Sequence, residues 1–294
     1  MKRIVVISQN RGFFGAQIVH IPLLRALKEL HPESKIYFFS KNSVSKKLLI
    51  LGVIDEIVME KSKNNFLTNY IKINPDITIN LRGKSLFHIL SIIIFNRKTK
   101  IGFSGFLSNL FFDISKKSNT SIYRAKNYLS LIDKEIPYKV TEKKKKVILI
   151  PGAGEDHKIW DINNYIKIAE LIKTSFNDFK IIFILGEKER KLTGLLKKYT
   201  FYIGRSVNED FNEIENSSLV IANDCGPSHI AHISDVNIIT ILSNEFNNAE
   251  GITNEWVNTG EKCCVIKAEE SKSINYITVD TVFKEAKKIL LLLK

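Results

Sequence analysis

The sequence predicts an α/β protein of two doubly wound domains, and three observations predict it. Short β-branched runs alternate with longer segments of helical period, as parallel strands joined by crossover helices do. The alternation breaks once, over Ile136 to Lys146, where Pro137 and the run Lys143, Lys144, Lys145 and Lys146 interrupt it, and then restarts. The length of 294 residues is also about twice that of a common domain.

In order along the chain, Lys2 to Ser8 reads as the first strand, and Ile18, Ile21, Leu24, Leu27 and Leu30 recur along one helix face. Strands follow at Lys35 to Ser40, Glu56 to Met59, Asp76 to Asn80 and Thr99 to Gly102, with helical stretches between them and a helix over Ser121 to Leu131 that Pro137 closes. The lysine run is a charge block that no core could hold, so it marks the boundary: residues 1–142 form one Rossmann-like domain and residues 143–280 the other. The second begins with the strand Val147 to Ile150, the helix Ile162 to Thr174 and the strand Lys180 to Leu185. A helix from Glu187, the strand Leu219 to Ala222, a helix from Pro227 and the strand Asn237 to Leu242 continue it. Residues 281–294 read as a final helix expected to pack back toward the first domain. Ligands of such sheets bind beyond the carboxyl ends of the strands, so function is sought there, in a cleft between the two domains.

Composition sets limits. With 44% hydrophobic and 26% charged residues, the chain is neither disordered nor a small disulfide-stapled scaffold. Three cysteines, Cys225, Cys263 and Cys264, form no disulfide framework or zinc knuckle and point to a reducing cytoplasm. The amino terminus meets Asn10 and Arg11 before any long apolar region, which predicts no signal peptide. Apolar stretches such as Ser85 to Phe95 are too short to span a bilayer, so any membrane contact is expected to be peripheral. A formal charge of +13 favours anionic partners, although a solvated basic surface would show the same balance.

Three strand ends carry chemistry. Asn223-Asp224-Cys225-Gly226-Pro227-Ser228-His229 follows a strand and opens a helix, an arrangement that suits a diphosphate and equally suits a capped helix start. Ile150-Pro151-Gly152-Ala153-Gly154 with Lys158-Ile159-Trp160 offers a close-approach loop and a point cation, or a surface loop with a lysine. It is neither a dinucleotide fingerprint nor a P-loop. Gly186-Glu187-Lys188-Glu189-Arg190 places carboxylates where ribose hydroxyls could be held, or where acids simply favour a first helical turn. Trp160 and Trp256 fit a core or a pocket border alike.

These segments resemble glycosyltransferase family 9, the lipopolysaccharide heptosyltransferases and their relatives, which have the two-domain GT-B architecture. The resemblance runs through Gly15 with His20-Ile21-Pro22-Leu23-Leu24-Arg25-Ala26-Leu27, Leu81-Arg82-Gly83, Ile101-Gly102-Phe103, Pro151-Gly152-Ala153 with Lys158-Ile159-Trp160, Leu185-Gly186-Glu187 and, most specifically, Asp224-Cys225-Gly226-Pro227-Ser228-His229. It implies metal-independent, inverting transfer of a sugar, heptose favoured, from a donor such as ADP-heptose to a lipopolysaccharide core or related glycan. It further implies no cofactor, a cytoplasmic monomer at the inner face of the bacterial inner membrane in contact with anionic lipid, and no nucleic-acid partner.

On that resemblance Lys158 stabilises the leaving diphosphate. Gly152, Ala153, Glu187, Glu189, Asp224, Cys225, Gly226, Pro227 and His229 join it in binding the donor, while Gly15, Ala16 and Arg82 face the acceptor. One departure matters: members carry Gly-Asp in the loop after the first strand, the Asp acting as general base, whereas Ala16 follows Gly15 here. His20, a packing residue by its spacing, and Asn10, which is no base, are weak stand-ins. His229 and His232 lack a third metal ligand, and Cys225 reads as a small buried residue. The alternatives are a nucleotide-sugar epimerase or hydrolase on the same architecture, and a transferase-like binding protein with little turnover.

Overall fold

The computed structural model describes residues 1–9, 11–138 and 141–293. Asn10, weighed above as a stand-in base, lies outside them. The chain divides into two units, Met1–Pro137 and Tyr138–Lys294, each built on a six-stranded parallel sheet covered by helices.

In the first unit the chain runs β1 (Arg3–Ile7), α1 (Phe14–Ile18), α2 (Ile21–Leu30), β2 (Lys35–Ser40), α3 (Lys46–Ile50), β3 (Glu56–Met59), α4 (Lys63–Ile73), β4 (Ile77–Asn80), α5 (Leu86–Phe95), β5 (Thr99–Phe103), α6 (Phe106–Phe111), β6 (Ile114–Lys116) and α7 (Arg124–Leu129). The strand order is β3-β2-β1-β4-β5-β6. Because β1 lies between two parallel neighbours and has helices on both faces, its Ile4, Val5, Val6 and Ile7 are all fully buried. Val5 and Ile7 join Phe39, Phe66 of α4 and Ile92 of α5 in one core cluster. The helix before Pro137 ends sooner than expected, α7 passing at Leu129 into a short 3-10 turn over Ser130–Ile132.

His20, at the start of α2, is buried against Phe38 and Tyr128. Burial, helped by the nearby charge of Arg124 and opposed by the Gln17 carbonyl, lowers its pKa from 6.5 to about 4. The unfolded chain therefore takes up this proton first, and the associated stability is complete above pH 6.5 and lost as pH falls toward 4. Between pH 7 and pH 5 the wild-type chain should lose about 2 kcal/mol more than a His20→Phe variant. Urea unfolding at the two pH values measures this, and equal losses in both proteins would refute it.

The second unit runs β7 (Lys144–Ile150), α8 (Ile162–Ser175), β8 (Lys180–Leu185), β9 (Thr200–Ile203), α9 (Val207–Glu215), β10 (Ser217–Asn223), α10 (Ser228–Ile233), β11 (Asn237–Leu242), α11 (Ala249–Trp256), β12 (Cys263–Lys267) and α12 (Val279–Leu291), in the sheet order β12-β11-β10-β7-β8-β9. Asp161, Ser206 and Thr278 cap α8, α9 and α12 through side-chain oxygens that accept backbone N–H bonds. The segment from Glu187 forms a 3-10 helix, Glu187–Leu196, instead of an α-helix.

One expectation changes here. Lys144, Lys145 and Lys146 belong to β7, and Lys146 is buried because its ammonium pairs with Glu213 at 2.7 Å. The charge run thus opens the second sheet. The apolar face of α12 lies in the second unit's own core: Val282, Ala286 and Leu290 cluster there, and the helix packs on α8.

Candidate active site

Three adjacent strands of the second sheet, β10, β7 and β8, bring the predicted donor residues to their carboxyl ends. After β7 the chain forms a loop through Gly152 and Gly154 and a short 3-10 turn, Asp156–Lys158. Lys158 Nζ lies 3.1 Å from Asp224 Oδ2 and 3.3 Å from Glu155 Oε2. Burial works against the lysine's charge, but the Asp224 carboxylate and hydrogen bonds to Asp224 and Glu155 outweigh it, and the pKa rises above the usual lysine value. Lys158 is a permanent cation in this setting.

Beside it, His229 is buried on α10 with Nε2 3.8 Å from Asp224 Oδ1 and its ring edge-on to Trp256. Burial lowers its pKa, against the pull of Asp224 and with the repulsion of Lys158, so the imidazole is neutral at pH 7. Cys225 is buried and its thiol is pushed up to about 12, chiefly by burial. That thiol is no nucleophile. The turn is closed by Ser228, whose Oγ donates to the Cys225 carbonyl at 2.8 Å and accepts from the Cys225 N–H. Lys158 and Asp224 line a small recess together with His157, Leu242, Ser243 and Asn248. The last three, from the β11 end, were not legible as site residues because no charge or glycine marks them.

The two candidate ribose carboxylates separate clearly. Glu187 is exposed and paired with Arg190 at 2.8 Å. Glu189 is buried, wedged against two glycine Cα positions: a Cβ on Gly152 would lie 2.7 Å from its carboxyl carbon, and one on Gly186 would lie 2.7 Å from Oε2. Those glycines are what allow a carboxylate between the β7 and β8 ends. Ala153 is half-buried on the same loop.

Asn223, the last residue of β10, is the positioning residue the sequence did not single out. Its Nδ2 donates to the Pro151 carbonyl at 2.7 Å, and its Oδ1 accepts from Tyr165 Oη at 2.9 Å and from the Trp160 N–H. Trp160 is itself core, fully buried, with Nε1 donating to the Ile277 carbonyl. Asn223 therefore ties the β7 loop to β10 and α8. Asn223→Ala should cost about 2–4 kcal/mol, since a carbonyl and a phenol are left buried without partners. A chemical denaturation series measures it, and a loss below about 0.5 kcal/mol would contradict the role.

In the first unit the predicted acceptor residues are all buried. Gly15 and Ala16 lie in α1. Arg82 is engaged inside the unit: its Nε donates to the Ser8 carbonyl, and one terminal nitrogen donates to Glu60 Oε2 at 2.7 Å and contacts His88 Nε2 at 2.8 Å. Since a guanidinium only donates, the contact assigns His88 Nε2 as an acceptor. Burial pushes the Glu60 pKa up, but the hydrogen bond and the charge of Arg82, with His88 beside them, leave it below the usual value. Arg82, expected to meet an acceptor's acidic groups, is thus engaged in an internal ion pair with Glu60.

Two doubly wound parallel sheets, the second with a lysine, an aspartate and a wedged glutamate at neighbouring strand ends, define an α/β protein of the GT-B class. The chain belongs to glycosyltransferase family 9 (heptosyltransferase), whose sequence model matches residues 105–273. It is a glycosyltransferase by that membership. Among solved structures it is similar to the glycosyl transferase family 9 protein from Veillonella parvula DSM 2008, with a TM-score of 0.71, 16% identity and coverage of 99% of this chain and 97% of the other. It is similar also to the ADP-heptose lps heptosyltransferase II of E. coli, with a TM-score of 0.71, 16% identity and 99% of each chain covered. The E. coli heptosyltransferase WaaC with ADP aligns with a TM-score of 0.71 at 13% identity, over 98% of this chain and 99% of that one. At these identities the likeness is one of fold. No curated protein matches the chain in sequence.

Proposed function

We propose that the chain transfers a heptose from a nucleoside-diphosphate donor, ADP-heptose favoured, to a lipopolysaccharide core or related glycan, with inversion and without a metal ion or cofactor. The observation that carries this reading is the Lys158–Asp224 pair, 3.1 Å apart, set beside a glycine-wedged Glu189 at three adjacent strand ends. Lys158 neutralises the diphosphate, and Glu189 accepts hydrogen bonds from the ribose hydroxyls. Asp224, Gly226 and His229 hold the phosphates and sugar. The acceptor oxygen attacks the anomeric carbon opposite the leaving group; the new C–O bond forms as the bond to the diphosphate breaks, and Lys158 meets the charge that develops there. With Ala16 after Gly15, no carboxylate stands where relatives carry their base, so the acceptor proton passes to solvent and rate rests on positioning. Among the described residues the three cysteines form no disulfide, which suits work in a reducing cytoplasm.

Calorimetric titration with ADP, GDP and UDP tests the reading. Binding of one nucleotide, weakened in Lys158→Ala and Asp224→Ala, is expected; binding of none removes the proposal. Ala16 also favours a second reading, a binding protein with little turnover. It predicts nucleotide affinity with no glycosylated product by mass spectrometry when donor and acceptor are both supplied.

A further inference from the structure

The order of the strands gives the donor a direction. In the second sheet β11, β10, β7 and β8 are successive neighbours. Glu189, which the transfer reading sets on the ribose, is wedged between the ends of β7 and β8. The Lys158–Asp224 pair, set on the diphosphate, joins the ends of β7 and β10. A donor laid across these two points in turn carries its sugar to the next strand end, that of β11. The segment leaving β11 there, Ser243 to Asn248, holds three side chains free to meet it.

Asn248 is the N-cap residue of α11, and an asparagine there ordinarily spends its side-chain oxygen on the helix. Here it makes no such bond. Asn244 does so instead, its Oδ1 accepting from the Ala249 N–H at 3.2 Å. Asn248 lines the recess beside Lys158 and Asp224, and its amide has no hydrogen-bond partner among the described residues. Ser243 lines the same recess, and its Oγ accepts from the Glu245 N–H, which leaves the hydroxyl proton to donate. Phe246 is 63% exposed, yet it is held in place by an edge-to-face contact with His157 of the recess wall, with ring centroids 4.9 Å apart. That contact ties the β11 loop to the β7 loop across the end of β10. A pyranose complements all three side chains: it has hydroxyls for the amide and the serine, and a face of polarised C–H groups for the negative face of the ring. An anionic sugar does not, because residues 242–256 carry Glu245, Glu250 and Glu255 and no Lys or Arg.

We propose that Ser243, Phe246 and Asn248 form the subsite for the donor's sugar and set its selectivity for an uncharged pyranose. Phe246 covers one face of the ring, and Asn248 and Ser243 take its hydroxyls. This inference rests on the transfer reading, which supplies the ribose and diphosphate positions.

Calorimetry on the full chain tests it with two ligands. One is the nucleoside diphosphate, among ADP, GDP and UDP, that the wild-type protein binds; the other is the same nucleotide carrying heptose, ADP-heptose in the favoured case. Phe246→Ala should weaken binding of the nucleotide heptose about five- to tenfold and Asn248→Ala about three- to tenfold. Both should leave the sugar-free nucleotide within about twofold of wild type. Phe246→Tyr should keep wild-type affinity because it keeps the ring face, whereas Phe246→Leu should match the alanine variant. Phe246 and Asn248 are exposed, so all four variants should melt with the wild type. A loss shared equally by both ligands, unchanged affinities in the two alanine variants, wild-type affinity in Phe246→Leu, or rejection of the nucleotide heptose by the wild-type chain would overturn the subsite while glycosyl transfer from another donor stood. A wild-type chain that binds none of the three nucleotides would remove the transfer reading, and the subsite with it.

Discussion

Lys158→Ala should lower kcat for sugar transfer by about 10²–10³-fold, while the Michaelis constant for donor rises by no more than about tenfold. The asymmetry follows from what the ammonium does. Ground-state diphosphate already carries charge, but more develops on it as the glycosidic bond breaks, and only a cation fixed in advance meets that increment without reorganising. Lys158 is fixed in this way by Asp224 and Glu155, at 3.1 and 3.3 Å. Lys158→Arg should recover only part of the loss, since a planar fork does not occupy the position of a point charge. Steady-state kinetics give both constants, and a kcat within about threefold of wild type would leave Lys158 without a role in the chemical step.

The second large effect concerns stability. Arg82→Ala should cost about 3–5 kcal/mol, because the substitution strands the Glu60 carboxylate inside the first unit and removes donors from the Ser8 carbonyl and His88. The pH dependence carries a signature that loss of packing alone would not produce. In the wild-type protein the Glu60 pKa is depressed, so its contribution is present above the ordinary glutamate range and is lost as pH falls through the lower folded value. In Arg82→Ala the buried carboxylate loses its cation, its pKa rises above the ordinary range, and acidification then relieves the variant instead of harming it. Urea unfolding between about pH 4 and 7 should show opposite slopes. An Arg82→Ala protein of wild-type stability that fails only to engage a glycan would contradict this and assign Arg82 to the acceptor.

Much of the fold was legible, for a reason visible in particular strands. Lys35–Ser40, Glu56–Met59, Lys180–Leu185 and Asn237–Leu242 coincide with the expected spans, since strands of a covered parallel sheet are near-continuous β-branched or aromatic runs. The strands that went unread, Ile114–Lys116, Thr200–Ile203 and Cys263–Lys267, all sit at sheet edges and are mostly half-buried, with only short apolar runs. In the site, Lys158, Glu189 and Asp224 follow strand ends with glycines nearby and could be picked out locally. Asn223 could not, because its importance comes from partners 58 to 72 residues away. The partner of Arg82 was hidden for the same reason: Glu60 stands 22 residues earlier.

The ammonium of Lys158 sits between two carboxylates, and this has a bearing on selectivity. Any phosphoryl group approaching it competes with anions that are already tethered to the protein and cannot diffuse away. Inorganic phosphate or a bare nucleoside monophosphate brings too few compensating contacts to win that contest. On the proposed reading, a molecule that reaches Glu189 and Lys158 at once does so with both ends, and the tethered acids then turn a general affinity for anions into a preference for long, two-headed ones.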